Sequence, residues 1–298
     1  MTAAPRPIAL VTSRAARDVD DDLPPLLAAL RARHPAVEVV DWDDPGVDWT
    51  RFGLALLRSP WDYTQRLPEF LAWVERAGRA TRLLNPPGVV RWNVDKHYLG
   101  ELARQGVDVV PSHYIEPRDD ALAGLEAYLA AQPEDELVVK PTVGAGSRDA
   151  QRHDRGQRDA ALAHVRRLQA RGATALLQPY LGRVDELGET ALLFFDGRFS
   201  HAIRKGPLLR RGEEATRALF APEHITPRTP DAAEHELARR VLAAIPFGTL
   251  LYARVDLIRA ADGSPCLLEL ELTEPSVFLA HAEGAAQRFA DAIRARLG

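Results

Sequence analysis

Two segments near the C-terminus, "LLYARVDLIRA" and "SPCLLELELTE", flank Asp262-Gly263, a dipeptide that favours a tight hairpin turn. If that turn centres the hairpin, Asp256 faces Glu269 and Arg254 faces Glu271. Strand side chains alternate, so all four share one face, while Val255, Leu257, Leu268, Leu270 and Leu272 point into a core. Directly opposed carboxylates repel, so Asp256 and Glu269 need a cation, or one must be protonated. An oxygen-only set suits Mg²⁺ or Mn²⁺ better than zinc. Glu271 either joins that set or is neutralised by Arg254, and an ion-pair network is the alternative for all of them. Pro265 within the second strand predicts an edge position or a longer loop, either of which could shift the register.

A second stretch, "LVVKPTVGAGS" at 137–147, ends an apolar strand in Lys140 and a small glycine loop. Amides in such a loop can approach phosphate oxygens because no Cβ obstructs them, and an adjacent ammonium would share the charge. The loop lacks the Gly-Lys-Ser/Thr ending of a P-loop and the spacing of a dinucleotide fingerprint, so an ordinary turn beside a snorkelling lysine is the competing reading. Composition sharpens it. Lysine and arginine total 38, yet only Lys96, Lys140 and Lys205 are lysines, and Asn85 and Asn93 are the only asparagines. A bias that turns surface lysine into arginine leaves lysine where a compact, mobile ammonium is required.

The elements that must position these groups alternate first as strand and helix. Strands are expected at 8–13, 37–42, 53–59 and 81–87, with helices at 21–33 and 67–77, which predicts a parallel α/β layer. A helix at about 92–105 carrying Lys96 follows, then strand-like 107–115, a helix near 119–131, the strand ending in Lys140, a helix near 157–171 and the strand "ALLQPYL". The last third opens on strands joined at Asp196-Gly197, a strong hairpin signal. Residues 206–230, rich in Pro and Arg, read as a functional loop or lid. A helix at 231–244, the carboxylate hairpin and a helix at about 281–296 complete the pattern. The expected fold class is α/β and α+β, divided into an N-terminal α/β unit (1–90), a central unit (91–181) and a C-terminal unit bearing the metal site (182–298).

Bulk properties exclude other classes. A formal net charge of −4 offers no basic field for nucleic acid, and the arginine-dense "RHDRGQRDAALAHVRRLQARG" carries helical spacing and reads as a solvated helix face. No apolar run approaches the ~18–20 residues of a membrane span, and the N-terminus does not resemble a signal peptide. Cys266 alone cannot form a disulfide or a cysteine-based zinc cluster; its apolar setting predicts burial. A cytoplasmic enzyme or binding protein, monomer or homodimer, is expected.

Taken in order, "NPPGVVRWNVDKHYL", "LVVKPTVGAGS", "LLQPYLGRVDELGE", "FFDGRFSHAIRK", "YARVDLI" and "LLELELTEPS" resemble the ATP-grasp superfamily, in its glutathione-synthetase-like and ribosomal-modification ligase branch. With "LLRSPWDYTQRLPEFLAWV" they are most similar to the O-ureido-serine cyclo-ligases of D-cycloserine synthesis and their relatives. The resemblance implies ATP clasped between two α+β units and Mg²⁺-dependent, ADP-forming ligation through an acyl-phosphate. It implies that Lys96 and Lys140 contact ATP phosphates and that Val143, Gly144, Ala145, Gly146 and Ser147 close over them. Gln178, Pro179, Tyr180 and Leu181 would form the adenine hinge. Glu189 would contact ribose, with Glu186 or Asp185 as alternatives. Asp256, Glu269 and Glu271 would hold Mg²⁺. Many relatives carry Asn in place of Glu271, and glutathione synthetases place an arginine where this chain has "ETALL"; Arg204 or Lys205 could replace it and steady the transferring phosphoryl group.

An amino-acid-like substrate is expected at "RSPWDY", where a predicted parallel strand ends. Arg58 could clamp a carboxylate, or pair with Asp62; Trp61, Asp62 and Tyr63 shape the pocket, or Trp61 and Tyr63 merely pack. Arg254 and Ser276 are further candidates, with Arg210 and Arg211 weaker. Three functions remain: an intramolecular cyclo-ligase, an intermolecular amino-acid or peptide ligase, and a nucleotide-binding regulator without turnover.

Overall fold

The computed structural model describes residues 6–212 and 224–297, which form thirteen strands in three sheets. β1 (Ile8–Thr12), β2 (Val37–Asp41), β3 (Leu54–Ser59) and β4 (Arg82–Leu84) make a parallel sheet in the order β2-β1-β3-β4. β1 and β3 are buried along their whole length, as parallel strands covered on both faces require. α1 (Leu23–Arg31) covers one face, with Pro24 in its first turn; α2 (Leu67–Ala80) covers the other through Phe70, Trp73 and Val74.

The helix expected over 92–105 is two helices, α3 (Pro87–Asn93) and α4 (Tyr98–Arg104). Lys96 sits in the turn between them, its amide donating to the Thr142 carbonyl (3.0 Å). The break places the lysine beside the glycine loop, where an unbroken helix would have directed its amide inward along the helix axis. β5 (His113–Ile115), α5 (Ala121–Ala131), β6 (Glu136–Pro141), β7 (Gln151–Asp154), α6 (Arg158–Gln169) and β8 (Ala175–Pro179) follow. Their strands form an antiparallel sheet, β5-β8-β6-β7. β7 escapes a pattern reading because "QRHD" is polar, which an edge strand tolerates. Arg152 in it is not part of a solvated face: it is buried, pairs with Glu136 (2.6 Å) and lies 3.5 Å over the Tyr180 ring.

A short α7 (Val184–Leu187) leads into β9 (Glu189–Phe195), β10 (Arg198–Lys205), β11 (Ile225–Arg228), α8 (Ala232–Ala244), β12 (Tyr252–Arg259), β13 (Pro265–Glu271) and α9 (Ala285–Ala295). The sheet order is β11-β10-β9-β12-β13. Asp196 (φ 50°) and Gly197 (φ 72°) both take the left-handed conformation that the expected tight turn demands. The proposed loop at 206–230 ends in β11, and residues 213–223 of it lie outside the described residues.

The carboxylate hairpin departs from its simple form twice, and the departures cancel. The turn is longer than two residues: the Ala260 amide donates to the Ser264 carbonyl, around Gly263 at φ +88°. A bulge between Asp256 and Leu257 then restores the expected pairs, Asp256 with Glu269 and Arg254 with Glu271. Its consequence is that Leu267, not Leu268, enters the core with Val255 and Leu270, while Leu268 faces the cavity described below.

β13 is the edge strand that Pro265 predicted, and its open backbone is stapled. Both asparagines serve here. Asn93 donates to the Leu270 carbonyl (2.7 Å) and accepts from the Leu272 amide (2.7 Å); Asn85 donates to Leu272 and Tyr252 carbonyls and accepts from the Leu251 amide. A side-chain amide carries donor and acceptor together, so it mimics the missing neighbour strand, which Asp cannot do. Cys266 is buried as expected. No helix among the described residues is long and apolar enough to cross a membrane.

Candidate active site

A cavity of about 680 Å³ lies where the central and C-terminal sheets face each other, with loops of the first sheet as its third wall. Lys96, Lys140 and Lys205, the only three lysines, all line it. Lys96 Nζ lies 3.0 Å from Glu269 and 3.0 Å from the Gly144 carbonyl. Burial opposes its charge, but Glu269, with Glu271 and Glu274 behind it, holds the ammonium above its ordinary pKa. Lys205 lies 2.5 Å from Asp256 and 3.5 Å from Glu189. Among the described residues, Lys140 has no such partner. Burial, aided by the ammonium groups of Lys96 and Lys205 against Glu269 and Glu189, pushes it down to about 8. A half-buried cation with that little compensation is poised for an anion brought by a ligand.

The carboxylate wall is equally loaded. Burial raises the pKa of Asp256, but Arg254 and Lys205 outweigh it and keep the carboxyl below its ordinary value. Glu269 is likewise held low against burial by Lys96 and Lys140. Glu271 goes the other way: burial, together with Glu269 and Asp256 and against Arg254, pushes it up to about 8. Glu274, buried beside Tyr63, is pushed up to about 7.

The oxygen donors therefore match a divalent ion in chemistry and adjacency. Among the described residues, no three such groups converge as a ready cage. Their oxygens turn to cations: Arg254 holds both Asp256 (2.9 Å) and Glu271, and Lys96 holds Glu269. Carboxylates set side by side, with burial and its acidic neighbours disfavouring the charge on Glu271, fit a divalent ion, which would replace those cationic contacts.

Other expected residues divide by position. Gly144, Ala145, Gly146 and Ser147 line the cavity, Gly146 and Ser147 both at φ near 60°. Gln178, Pro179, Tyr180, Leu181, Glu189, Trp61, Tyr63, Arg254 and Ser276 line it too, and Asp256 lies buried at 1% exposure as the strand partner of Glu269.

Other expected residues do not line it. Val143 packs into the core of the first sheet. Arg204 donates to the carbonyls of Leu187 (2.7 Å) and Glu186 (2.9 Å), so it braces α7, and the Glu186 side chain is exposed to solvent. Asp62 accepts from the Trp42 indole (2.9 Å). Arg58 is wholly buried, 3.7 Å from each of Asp20 and Asp22, and donates to the Pro275 carbonyl (3.2 Å). It clamps the protein's own carboxylates. Arg211 pairs with Glu136 (2.9 Å), outside the cavity lining.

Residues that pattern reading missed include Asp20 and Asp21, after β1, and Glu274. The end-of-strand rule that singled out "RSPWDY" applies equally to the loop after β1. Asp22, immediately before α1, makes no side-chain cap and accepts from the amides of Val277, Phe278 and Leu279.

Comparison with known proteins places this geometry. The N-terminal domain model of D-cycloserine synthetase DcsG matches residues 8–85. The cycloserine biosynthesis protein DcsG of Streptomyces lavendulae is 45% identical over 97% of this chain and 98% of its own. The crystal structure of D-cycloserine synthetase DcsG superimposes with a TM-score of 0.92, at 45% identity, covering 98% of this chain and 99% of that one. The ATP-grasp ligase PsnB, solved with Mg and ADP, matches at TM-score 0.63 and 19% identity, covering 98% of each chain. D-alanine–D-alanine ligase of Bacillus anthracis, solved with ATP, matches at TM-score 0.66 and 16% identity, covering 98% and 97%. These two share the fold: a parallel N-terminal sheet and two antiparallel sheets. The chain belongs to the DcsG family of ATP-grasp carbon–nitrogen ligases.

Proposed function

We propose that this ligase converts O-ureido-D-serine to D-cycloserine: ATP activates the carboxylate as an acyl-phosphate, the oxyamine nitrogen of the same molecule displaces phosphate to close the ring, and water removes the carbamoyl group from that nitrogen as carbamate. The observation that carries this reading is the meeting of all three lysines with the carboxylate hairpin in one cavity, in a chain 45% identical to DcsG along its whole length. In this reading Lys96 and Lys140 receive the β- and γ-phosphates, with the amides of the 144–147 loop around them. Gln178 to Leu181 hold adenine and Glu189 the ribose. Lys205, buried against Asp256, steadies the transferring phosphoryl group. Asp256, Glu269 and Glu271 hold Mg²⁺, with Mn²⁺ able to substitute. When bound, the ion supplies charge neutralisation for phosphoryl transfer. No covalent protein nucleophile is required; the residues position the reactants and balance their charge.

Arg254 is oriented by Asp256, Glu271 and the Ser276 carbonyl, so its guanidinium stands ready at the carboxylate end of the substrate. The units 1–90, 91–181 and 182–298 are proposed as the substrate, lid and metal-bearing subdomains. The cytoplasm, which supplies Mg-ATP, is the proposed location. ADP release with O-ureido-D-serine as sole organic substrate, read alongside product mass, tests the reading. Release that requires a second amino acid, with a joined product, would replace it with the intermolecular ligase. ATP binding without any ADP release would replace it with the regulator.

A further inference from the structure

One end of the cavity bears charge that the ATP-binding roles do not use. Glu274 is 7% exposed and lines the cavity. The Tyr63 hydroxyl, with Lys96 and Arg254 farther off, favours its charged form against burial, and its main-chain carbonyl accepts from the Trp61 indole (3.1 Å). Glu269 and Glu271 each have a cationic partner; among the described residues, Glu274 makes no ion pair.

A second buried carboxylate faces the same end from a different element. Asp20 is 3% exposed and lines the cavity, and its Oδ2 has no hydrogen-bond partner. Its Oδ1 accepts from the Asp22 amide (3.1 Å) and lies 3.7 Å from Arg58. That same guanidinium donates to the carbonyl of Pro275, the residue after Glu274. Arg58 therefore ties together the two segments that present these acids. Trp61, Tyr63 and Phe278 contribute aromatic surface to this part of the lining.

We propose that this pole receives the ammonium group of the substrate, with Glu274 as the residue that selects for it. The inference rests on the ligase reading and adds to it the orientation of the substrate. An ammonium offers three donors on a compact charge. The pole offers carboxylate acceptors whose desolvation was already incurred in folding, held by Tyr63 and Arg58 so that little ordering remains for binding. A zwitterionic amino acid seated there directs its own carboxylate toward Arg254 and the lysines, where the phosphoryl group must arrive. Trp61 adds a ring face that suits a cation.

The test uses O-ureido-D-serine and its des-amino counterpart, 3-(ureidooxy)propanoate, bound to the full chain with Mg²⁺ and a non-hydrolysable ATP analogue, by calorimetry. The wild type is expected to prefer the amine. Glu274→Gln keeps an acceptor for Tyr63 but loses the charge. It should weaken binding of the amine about 10–100-fold and leave the des-amino compound within about twofold. Tyr63→Phe, which frees the carboxylate without removing it, should give a smaller loss confined to the amine. Equal weakening of both compounds would assign Glu274 a structural role and overturn the proposal. So would an unchanged preference in the variant, or a wild type that ignores the amine. ADP release by the wild type is scored separately. Its absence with selective amine binding intact would discard the cyclo-ligase reading and leave the ammonium site standing.

Discussion

Two buried arginines hold the same stretch of chain, and they do opposite work. Arg58, on β3, donates to the Pro275 carbonyl and faces Asp20 and Asp22. Arg254, on β12, donates to the Ser276 carbonyl and faces Asp256 and Glu271. Around Arg58 one acid is settled: Asp22 is satisfied by three backbone amides, although burial still raises its pKa. Around Arg254 the acids outnumber what it can neutralise, and Glu271 is pushed up to about 8. The first cluster is a bolt between the first sheet and the C-terminal segment. The second is incomplete without a ligand. Burial is common to both; three backbone amides settle Asp22 beside Arg58, whereas the charge on Glu271 beside Arg254 is left disfavoured.

The comparison can be broken by removing one charge from each cluster. Lys140→Ala, on the functional side, should reduce kcat/KM about 10²–10³-fold with little loss in a urea melt, because the ammonium lacks a partner in the free protein. A matching fall in stability would make Lys140 a structural cation. Arg58→Met should cost about 3–5 kcal/mol of unfolding free energy by leaving Asp20 and Asp22 uncompensated. Its surviving folded fraction should keep a near-native KM for ATP; a selective rise in substrate KM without destabilisation would restore Arg58 to the site. Glu269→Gln should weaken Mg²⁺ binding roughly 10–100-fold, measured by titration at fixed nucleotide, while shifting unfolding less than Arg58→Met does.

The smallest effect sharpens the contrast through pH. The folded-state pKa of Glu271, about 8, exceeds its ordinary value of 4.5. The folded state then binds the proton more tightly, so this group costs nothing at low pH and lowers stability progressively as pH rises from about 4.5 toward 8. Metal-free Glu271→Gln should accordingly gain about 1–2 kcal/mol over wild type at pH 8, and the gain should vanish near pH 4.5. Calorimetric melts across that range would show it; a pH-independent difference would mean Glu271 is already balanced by Arg254.

Much of this was written along the chain. Alternating apolar strands and helices specify a parallel layer followed by antiparallel hairpins, because side-chain periods of two and 3.6 decide which faces are buried. The scarcity of lysine pointed to three ammonium groups that do converge, and the opposed carboxylates of one hairpin are neighbours by strand register alone. Even there, the right pairs arise from a longer turn, which Pro265 allowed for, and a compensating bulge, which local spacing does not reveal. The break before Tyr98 that sets Lys96 against the glycine loop depends on an amide bonding to Thr142, far along the chain.

The division of labour among charges was decided by tertiary structure. Arg58 and Arg204 carry the same side chain as Arg254 and sit in strands that read much alike. Arg58 meets acids from the loop after β1, Arg204 meets the carbonyls of α7, and Arg254 meets the cavity. Glu274 and Asp20 gain importance only because distant segments bring them into one wall. Period and composition are local properties, and the sequence carries them openly. The electrostatic balance around a buried group sums over every element packed against it, so it exists only once the chain has folded.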